Sequence, residues 1–184
     1  MVPALPCVGR AEDKGIGNGL YVPAAESIYA GAGGVSGKIA AQGQFFAVAG
    51  DAKISAVDVR DIAAVAAAAL TGEGHVGRTY DITGPEALTH GEMAEKLSRA
   101  LNREIQYGDV TPEAMMEALL NIGLPHWQVD GLIEDYAHYR RGEASAIASG
   151  VQDAIGTPPR PFDDFARDYA LLEAKDRMEA IERY

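Results

Sequence analysis

The apolar positions of this chain fall into short runs and helical stripes, and they are densest between residues 53 and 70. Ile54, Ala56, Val57 and Val59 make a near-continuous apolar run, the pattern of a strand covered on both faces. Asp58 and Asp61 follow in a D-x-x-D arrangement. That spacing predicts a capped helix start, with Asp58 accepting from the first free backbone N–H groups and both carboxylates favoured by the helix dipole. Ile62, Val65, Ala66 and Ala69 then repeat at i, i+3, i+4 and i+7, and Gly72 is placed to end the helix.

Around that stretch, the pattern keeps alternating between strand-like and helix-like signals. Residues 45–48 read as a short strand closed by an Ala-Gly-Asp turn, and 79–83 (TYDIT) alternates as another before Gly84-Pro85. Thr89 and Glu92 form a capping box that opens a helix with Met93, Ala94, Leu97, Ala100 and Leu101 on one face. Residues 104–110 read as a strand. Thr111-Pro112-Glu113 then starts a helix whose apolar face is Met115, Met116, Leu119 and Leu120, stopped by Gly123-Leu124-Pro125. A helix over 128–141 is expected to bury Val129, Leu132, Ile133 and Tyr136, and 144–154 is expected to be helical in part. Thr157-Pro158-Pro159-Arg160 reads as a rigid turn, and a last helix from Phe162 carries Phe165, Ala166, Tyr169 and Leu172 inward. Past Glu173 the charges alternate, with Glu173/Arg177 and Glu179/Arg183 at i,i+4, as on a solvated helix end. Residues 1–37 are rich in Gly, Pro and Ala and never build a period, so mostly loop is expected there.

Composition narrows the function classes. At 184 residues and 47% hydrophobic, the chain can bury a core as one domain with attachments. A net charge of −11 and a pI near 4.7 argue against a nucleic-acid partner. The single cysteine, Cys7, excludes an internal disulfide framework and a thiolate metal cluster, and makes a reduced, cytoplasmic setting the expectation. No apolar run approaches the ~18–20 residues that span a bilayer, and the N-terminus lacks a basic region followed by an apolar segment, so neither membrane insertion nor a signal peptide is expected.

Candidate chemistry is sparse. Gly31, Gly34 and Gly37 satisfy G-x-x-G-x-x-G, a spacing that lets backbone N–H groups approach a pyrophosphate at a helix N-terminus. Around them the preceding strand is short and the following helix breaks at Gly43, so a plain glycine-rich connection competes with the nucleotide loop. Asp58 and Asp61 can be read as an acid/base pair, but their place at a strand-to-helix turn favours structural caps. None of the eight tyrosines has a lysine four residues on; the nearest pattern is Tyr136 with Arg140, which reads as a packed tyrosine and a surface charge. The four histidines show no i,i+4 pair, no metal site is expected, and no G-x-S-x-G elbow is present. Phe45, Trp127 and Tyr136 are the aromatic candidates for a substrate pocket, each open to the plainer reading of core or helix packing.

Several separate motifs resemble one family. GQFFAVAGDAKISAVDVRDIA, TYDITGPEALTHGEMA, PEAMMEALLNIGLPHW and GTPPRPFDDFARDYA, in this order over 38–170, are similar to the C-terminal part of the NmrA-like proteins, atypical short-chain dehydrogenase/reductase relatives. The resemblance implies an α/β fold, here a partial Rossmann-like sheet edge with a mainly helical substrate-side lobe. It divides the chain into an atypical segment 1–37, an NmrA-like region 38–172 and a charged helical tail 173–184. It also implies NADP or NAD as cofactor and a quinone-type acceptor, with a small molecule as the partner and C-terminal helices shaping substrate choice. The family's N-terminal Rossmann half has no counterpart in residues 1–37, which cannot hold several βα units of ~30 residues each. The expected function is therefore an NAD(P)-associated oxidoreductase present mainly as its substrate-binding half. The alternative is a non-catalytic redox-sensing or protein-interaction module, or a remnant without activity. Because few neighbouring strands are encoded for the 53–59 run, exposed sheet edges are expected to drive self-association.

Overall fold

The computed structural model describes residues 43–182, with side chains through Leu172. The 1–37 segment with Gly31, Gly34 and Gly37, and the charge pairs of the tail, lie outside those residues and side chains. Eight elements follow in order: β1 (Gln44–Ala47), α1 (Val59–Thr71), α2 (His90–Leu101), β2 (Gln106–Asp109), α3 (Pro112–Asn121), α4 (His126–Arg140), α5 (Gly150–Ile155) and α6 (Phe162–Glu182). β1 and β2 pair in parallel, Gln44 opposite Gln106 through Ala47 opposite Asp109. The result is a mixed α/β fold in which a two-stranded parallel ladder carries mostly helices.

The helix starts follow local chemistry. Asp58 caps α1 by accepting from the Arg60 N–H at 2.8 Å. α2 opens with a reciprocal box, the Glu92 N–H donating to Thr89 Oγ1 (3.1 Å) and the Thr89 N–H to Glu92 Oε2 (2.7 Å). α3 begins at Pro112 with Thr111 accepting from the Ala114 N–H.

The core gathers where α2 lies on α6. Met93, Ala94 and Leu97 from α2 meet Phe162, Phe165, Ala166 and Tyr169 from α6, with Phe45, Ile54, Leu88 and Ile105 beneath. Burying each large side chain contributes roughly 1.5–3 kcal/mol, so this contact dominates the stability of the described region. Lys96 bridges Glu86 (3.2 Å) and Asp163 at its rim.

Four sequence expectations need correction. Residues 54–58 and 79–83 form no ladder among the described residues; one antiparallel bridge, Ile54 to Leu88, is the single strand-like pairing they make, and helix α1 already begins at Val59. A strand exists only where a neighbour continues the ladder, and among the described residues the pairing stops at that bridge, with single bonds from the Ser55 N–H to the Ala144 carbonyl and from the Gly84 N–H to the Ser55 carbonyl. These segments are instead pressed together: a Cβ on Gly84 would stand 1.9 Å from the Ala56 carbonyl oxygen, and one on Gly150 would stand 2.1 Å from that of Asp81. On α1, Asp61 and Val65 are buried while Ala66 and Ala69 are exposed, because the packed face turns toward α5. α3 buries none of its residues, with Met115, Met116, Leu119 and Leu120 only half-covered by α4. Leu172 is exposed, since α6 has by then run past the α2 face that holds Phe165 and Tyr169.

Candidate functional site

In open parallel α/β sheets, ligands meet the carboxyl ends of the strands. Here those ends are Ala47 and Asp109, side by side in register. The chain leaves β1 through Val48, Ala49 and Gly50, where Gly50 takes φ +55°, a left-handed turn that returns its N–H toward β2. Asp109 collects the donors of this corner: the Gly50 N–H at 2.8 Å, the Tyr107 hydroxyl at 3.0 Å, and Arg140 Nη2 at 3.2 Å from both carboxylate oxygens. Arg140, at the end of α4, also donates from Nε to the Val48 carbonyl at 2.7 Å. One carboxylate thus ties the β1 exit, β2 and α4 to a single point.

The electrostatics make this corner a clamp and not an acid–base pair. Partial desolvation pulls Asp109 upward, but the Gly50 N–H, the Tyr107 hydroxyl and the Arg140 guanidinium outweigh it and hold the carboxyl below its usual range. Burial first, and then Asp109, push the Tyr107 hydroxyl above its ordinary value, so it stays protonated and donates to Asp109. Behind Tyr107, His90 is 2% exposed, its ring 5.2 Å from that of Tyr107 and 6.2 Å from that of Phe45. Neither ring nitrogen has a hydrogen-bond partner. Burial lowers its pKa to about 4, so the imidazole is neutral near pH 7.

The residues singled out in the sequence do not converge. Phe45 points inward at 5% exposure, against His90 and Tyr107; strand alternation sends Phe46 outward over Gly108 instead. Trp127 stands at the start of α4, 73% exposed, and Tyr136 lies nine residues on, edge-on to Tyr139 with ring centroids 5.6 Å apart. That spacing puts about 13 Å along the helix axis between them. Tyr136 and Arg140 do not pair, since Arg140 turns to Asp109. Asp58 caps α1 and also holds Arg60, which reaches Asp168 at 2.6 Å. Asp61 does not act as a second cap. It turns inward and accepts from the Arg160 N–H at 2.7 Å and from the Arg160 guanidinium. His90, Tyr107, Asp109 and Arg160 carry no local sequence signal as a group, because their partners lie on distant elements. The one available hint was Tyr107-x-Asp109, two polar groups on the same face of a strand.

A dinucleotide's pyrophosphate needs bare N–H groups at a helix start. α1 opens with Asp58 and Asp61, α2 with Glu92, α3 with Glu113, and α6 with Asp163 and Asp164, all unsuited to an anion, whereas α4 opens at His126 behind Pro125 with no acidic residue in its first turn and no side-chain cap. Among the described residues there is also no group of three or more His, Cys, Asp or Glu placed to hold a metal, and no helix long and apolar enough to cross a membrane.

No protein-family model matches the chain. Individual proteins do. It is 39% identical over 124 residues to a (4-alkanoyl-5-oxo-2,5-dihydrofuran-3-yl)methyl phosphate reductase of Streptomyces griseus, covering 67% of this chain and 44% of that protein. It is 37% identical over 129 residues to an NAD(P)H azoreductase of Xenophilus azovorans, covering 70% and 45%. Quinone oxidoreductase 2 of Escherichia coli is 28% identical over 116 residues. The crystal structure of the NADPH-dependent enzyme of that name superposes with a TM-score of 0.67 at 24% identity, over 77% of this chain and 50% of the other. The chain spans a little under half the length of the curated relatives it matches.

Proposed function

The chain belongs with the C-terminal portion of the NmrA-like, atypical short-chain dehydrogenase/reductases, and on that footing we propose that it serves as the substrate-side half of an NAD(P)H-dependent oxidoreductase with a quinone-type acceptor. The observation that carries this reading is the match over two thirds of the chain to reductases of 37–39% identity. The exposed Trp127 at the start of α4 is the aromatic surface assigned to the acceptor, while Tyr136, half a turn round the same helix, packs edge-on to Tyr139. Phe45, inside the core, has no part in it. Arg140 and Asp109 hold that helix to the strand ends, so the acceptor side is positioned by the clamp.

Trp127 is the only tryptophan, which makes its fluorescence a direct reporter. A water-soluble naphthoquinone should quench it saturably, and should do so with unchanged affinity in the Tyr136→Phe protein. Strictly linear, collisional quenching in both proteins would overturn the assignment of the acceptor side.

A second reading, a non-catalytic redox-sensing module, draws support from the tyrosines. Burial pushes Tyr136 up to about 12 and moves Tyr107 and Tyr139 upward as well, so none of the three is poised to release a proton near neutral pH. NADPH oxidation by quinone in the presence of a dinucleotide-binding half separates the two: turnover supports the oxidoreductase, and cofactor binding without turnover supports the sensor.

A further inference from the structure

His90 is buried with no hydrogen-bond partner on either ring nitrogen among the described residues. Buried polar groups are normally paired, so a residue left this way calls for an explanation. It is the first residue of α2, and its ring stands 5.2 Å from that of Tyr107 and 6.2 Å from that of Phe45. The two walls differ. Phe45 belongs to the core, whereas Tyr107 is half-buried and carries its hydroxyl to the Asp109 carboxylate, which is exposed. Tyr107 is therefore the thinner barrier between the imidazole and water. β1 presents no charge to the ring, and β2 presents Tyr107 and Asp109, of which the Asp109 charge is the one that reaches it. α4 brings Arg140, already on Asp109, and the buried Tyr139 hydroxyl. On α2 itself, Glu92 is taken up by the Thr89 N–H, and Lys96 turns to Glu86 and to Asp163 of α6.

We propose that His90 is a proton-operated release for this corner: when its ring takes up a proton, Tyr107 leaves Asp109 and the hold of Asp109 on the end of α4 is lost. An imidazolium has two N–H donors, and in the closed corner neither has an acceptor. The Asp109 carboxylate lies past the Tyr107 ring, so reaching it means moving Tyr107 aside. That removes one donor from Asp109 and brings it a new cation, which competes with Arg140. Asp109 stays ionised to receive it, because its partners hold the carboxyl below its usual range. Burial keeps His90 at about 4 in the closed corner, against an ordinary 6.5 once the ring meets water. The open form therefore gains on the closed one by on the order of a hundredfold between pH 7 and pH 4. What the freed helix end does to an acceptor rests on the functional reading above; the release itself does not.

Native-state amide exchange of the full chain reads the release without quinone or cofactor, so its failure is distinct from failure of the oxidoreductase reading. The Ala49 and Gly50 N–H groups are the reporters, since they donate to the Tyr107 hydroxyl (3.3 Å) and to Asp109 (2.8 Å). Their protection, corrected for the intrinsic rate at each pH, should fall on the order of a hundredfold from pH 7 to pH 4 with little dependence on urea. Met93 and Leu97, in the core, should keep higher protection and the full urea slope of global unfolding. The His90 ring signal should titrate with the same midpoint as the two reporters, and His90→Phe should remove their pH dependence. Reporters that exchange with the protection and urea slope of the core make His90 a liability to overall stability and overturn the release. Protection that is unchanged between pH 7 and pH 4, or a pH dependence that survives His90→Phe, also overturns it. So does a His90 ring that titrates while both reporters stay protected, a result that needs no variant to fold.

Discussion

At Asp61, 1% exposed, a carboxylate answers two donors on one residue: the Arg160 N–H at 2.7 Å and the Arg160 guanidinium. The backbone bond is the more consequential, because the guanidinium is 41% exposed and solvent screens it. Asp61→Ala should therefore cost about 2–3 kcal/mol in urea unfolding, since it strands a part-buried N–H. Arg160→Ala, which keeps that N–H, should cost only about 1 kcal/mol. His90 makes the acid limb of stability. Burial holds its folded pKa at about 4, against an ordinary 6.5, so its contribution is whole above pH 6.5 and is lost as pH falls toward 4. His90→Phe removes two unpartnered nitrogens. It should flatten the fall in stability between pH 6.5 and 4 by an amount on the order of 2–3 kcal/mol, read from unfolding midpoints across that range. Neither role is legible in the sequence. Asp61 sits in a perfectly good capping position, and its true partner is 99 residues away.

At the scale of elements, what is local was legible. Thr89 with Glu92, Thr111 with Pro112, and Asp58 before Val59 mark three helix starts, and each cap is closed by a hydrogen bond within three residues. Thr89→Ala should cost about 1 kcal/mol and fray α2, seen as faster amide exchange over its first turn. Strands are another matter, since their hydrogen bonds come from elsewhere in the chain. Residues 45–48 and 104–110 found each other and made β1 and β2; 54–59 and 79–83 also read as strands, yet among the described residues they join no ladder beyond the single Ile54–Leu88 bridge. What holds those segments is close backbone approach at Gly84, where any side chain meets the Ala56 carbonyl. Gly84→Ala should lower stability by more than about 2 kcal/mol, with the largest loss of exchange protection at 54–57. The helical stripe of α1 was read correctly as a helix, but a pattern apolar on every side cannot say which face its own chain will cover.

Across the whole molecule, the α/β class and the split between a sheet edge and a helical lobe were what the family resemblance implied, while the parallel pairing of β1 with β2 was not foreseen. Nor was the clamp, because Gly50, Tyr107, Asp109 and Arg140 meet only once β1, β2 and α4 are assembled. The ladder has a kinetic consequence. Gln44 meets Gln106, so pairing β1 with β2 closes a loop of about 60 residues, an entropic toll of about 3–4 kcal/mol beyond a constant term. Nothing is regained until α1 and α2 have condensed between the two strands. The ladder is therefore expected to be absent from the folding transition state. Phe45→Leu should then leave the refolding rate nearly unchanged and raise the unfolding rate by almost its full destabilisation, giving a φ-value near zero in stopped-flow denaturant jumps. A chain emerging from the ribosome would hold β1 unmatched until β2 and its flanking helix have been made, so the β1 segment spends longest as an open template for mispairing.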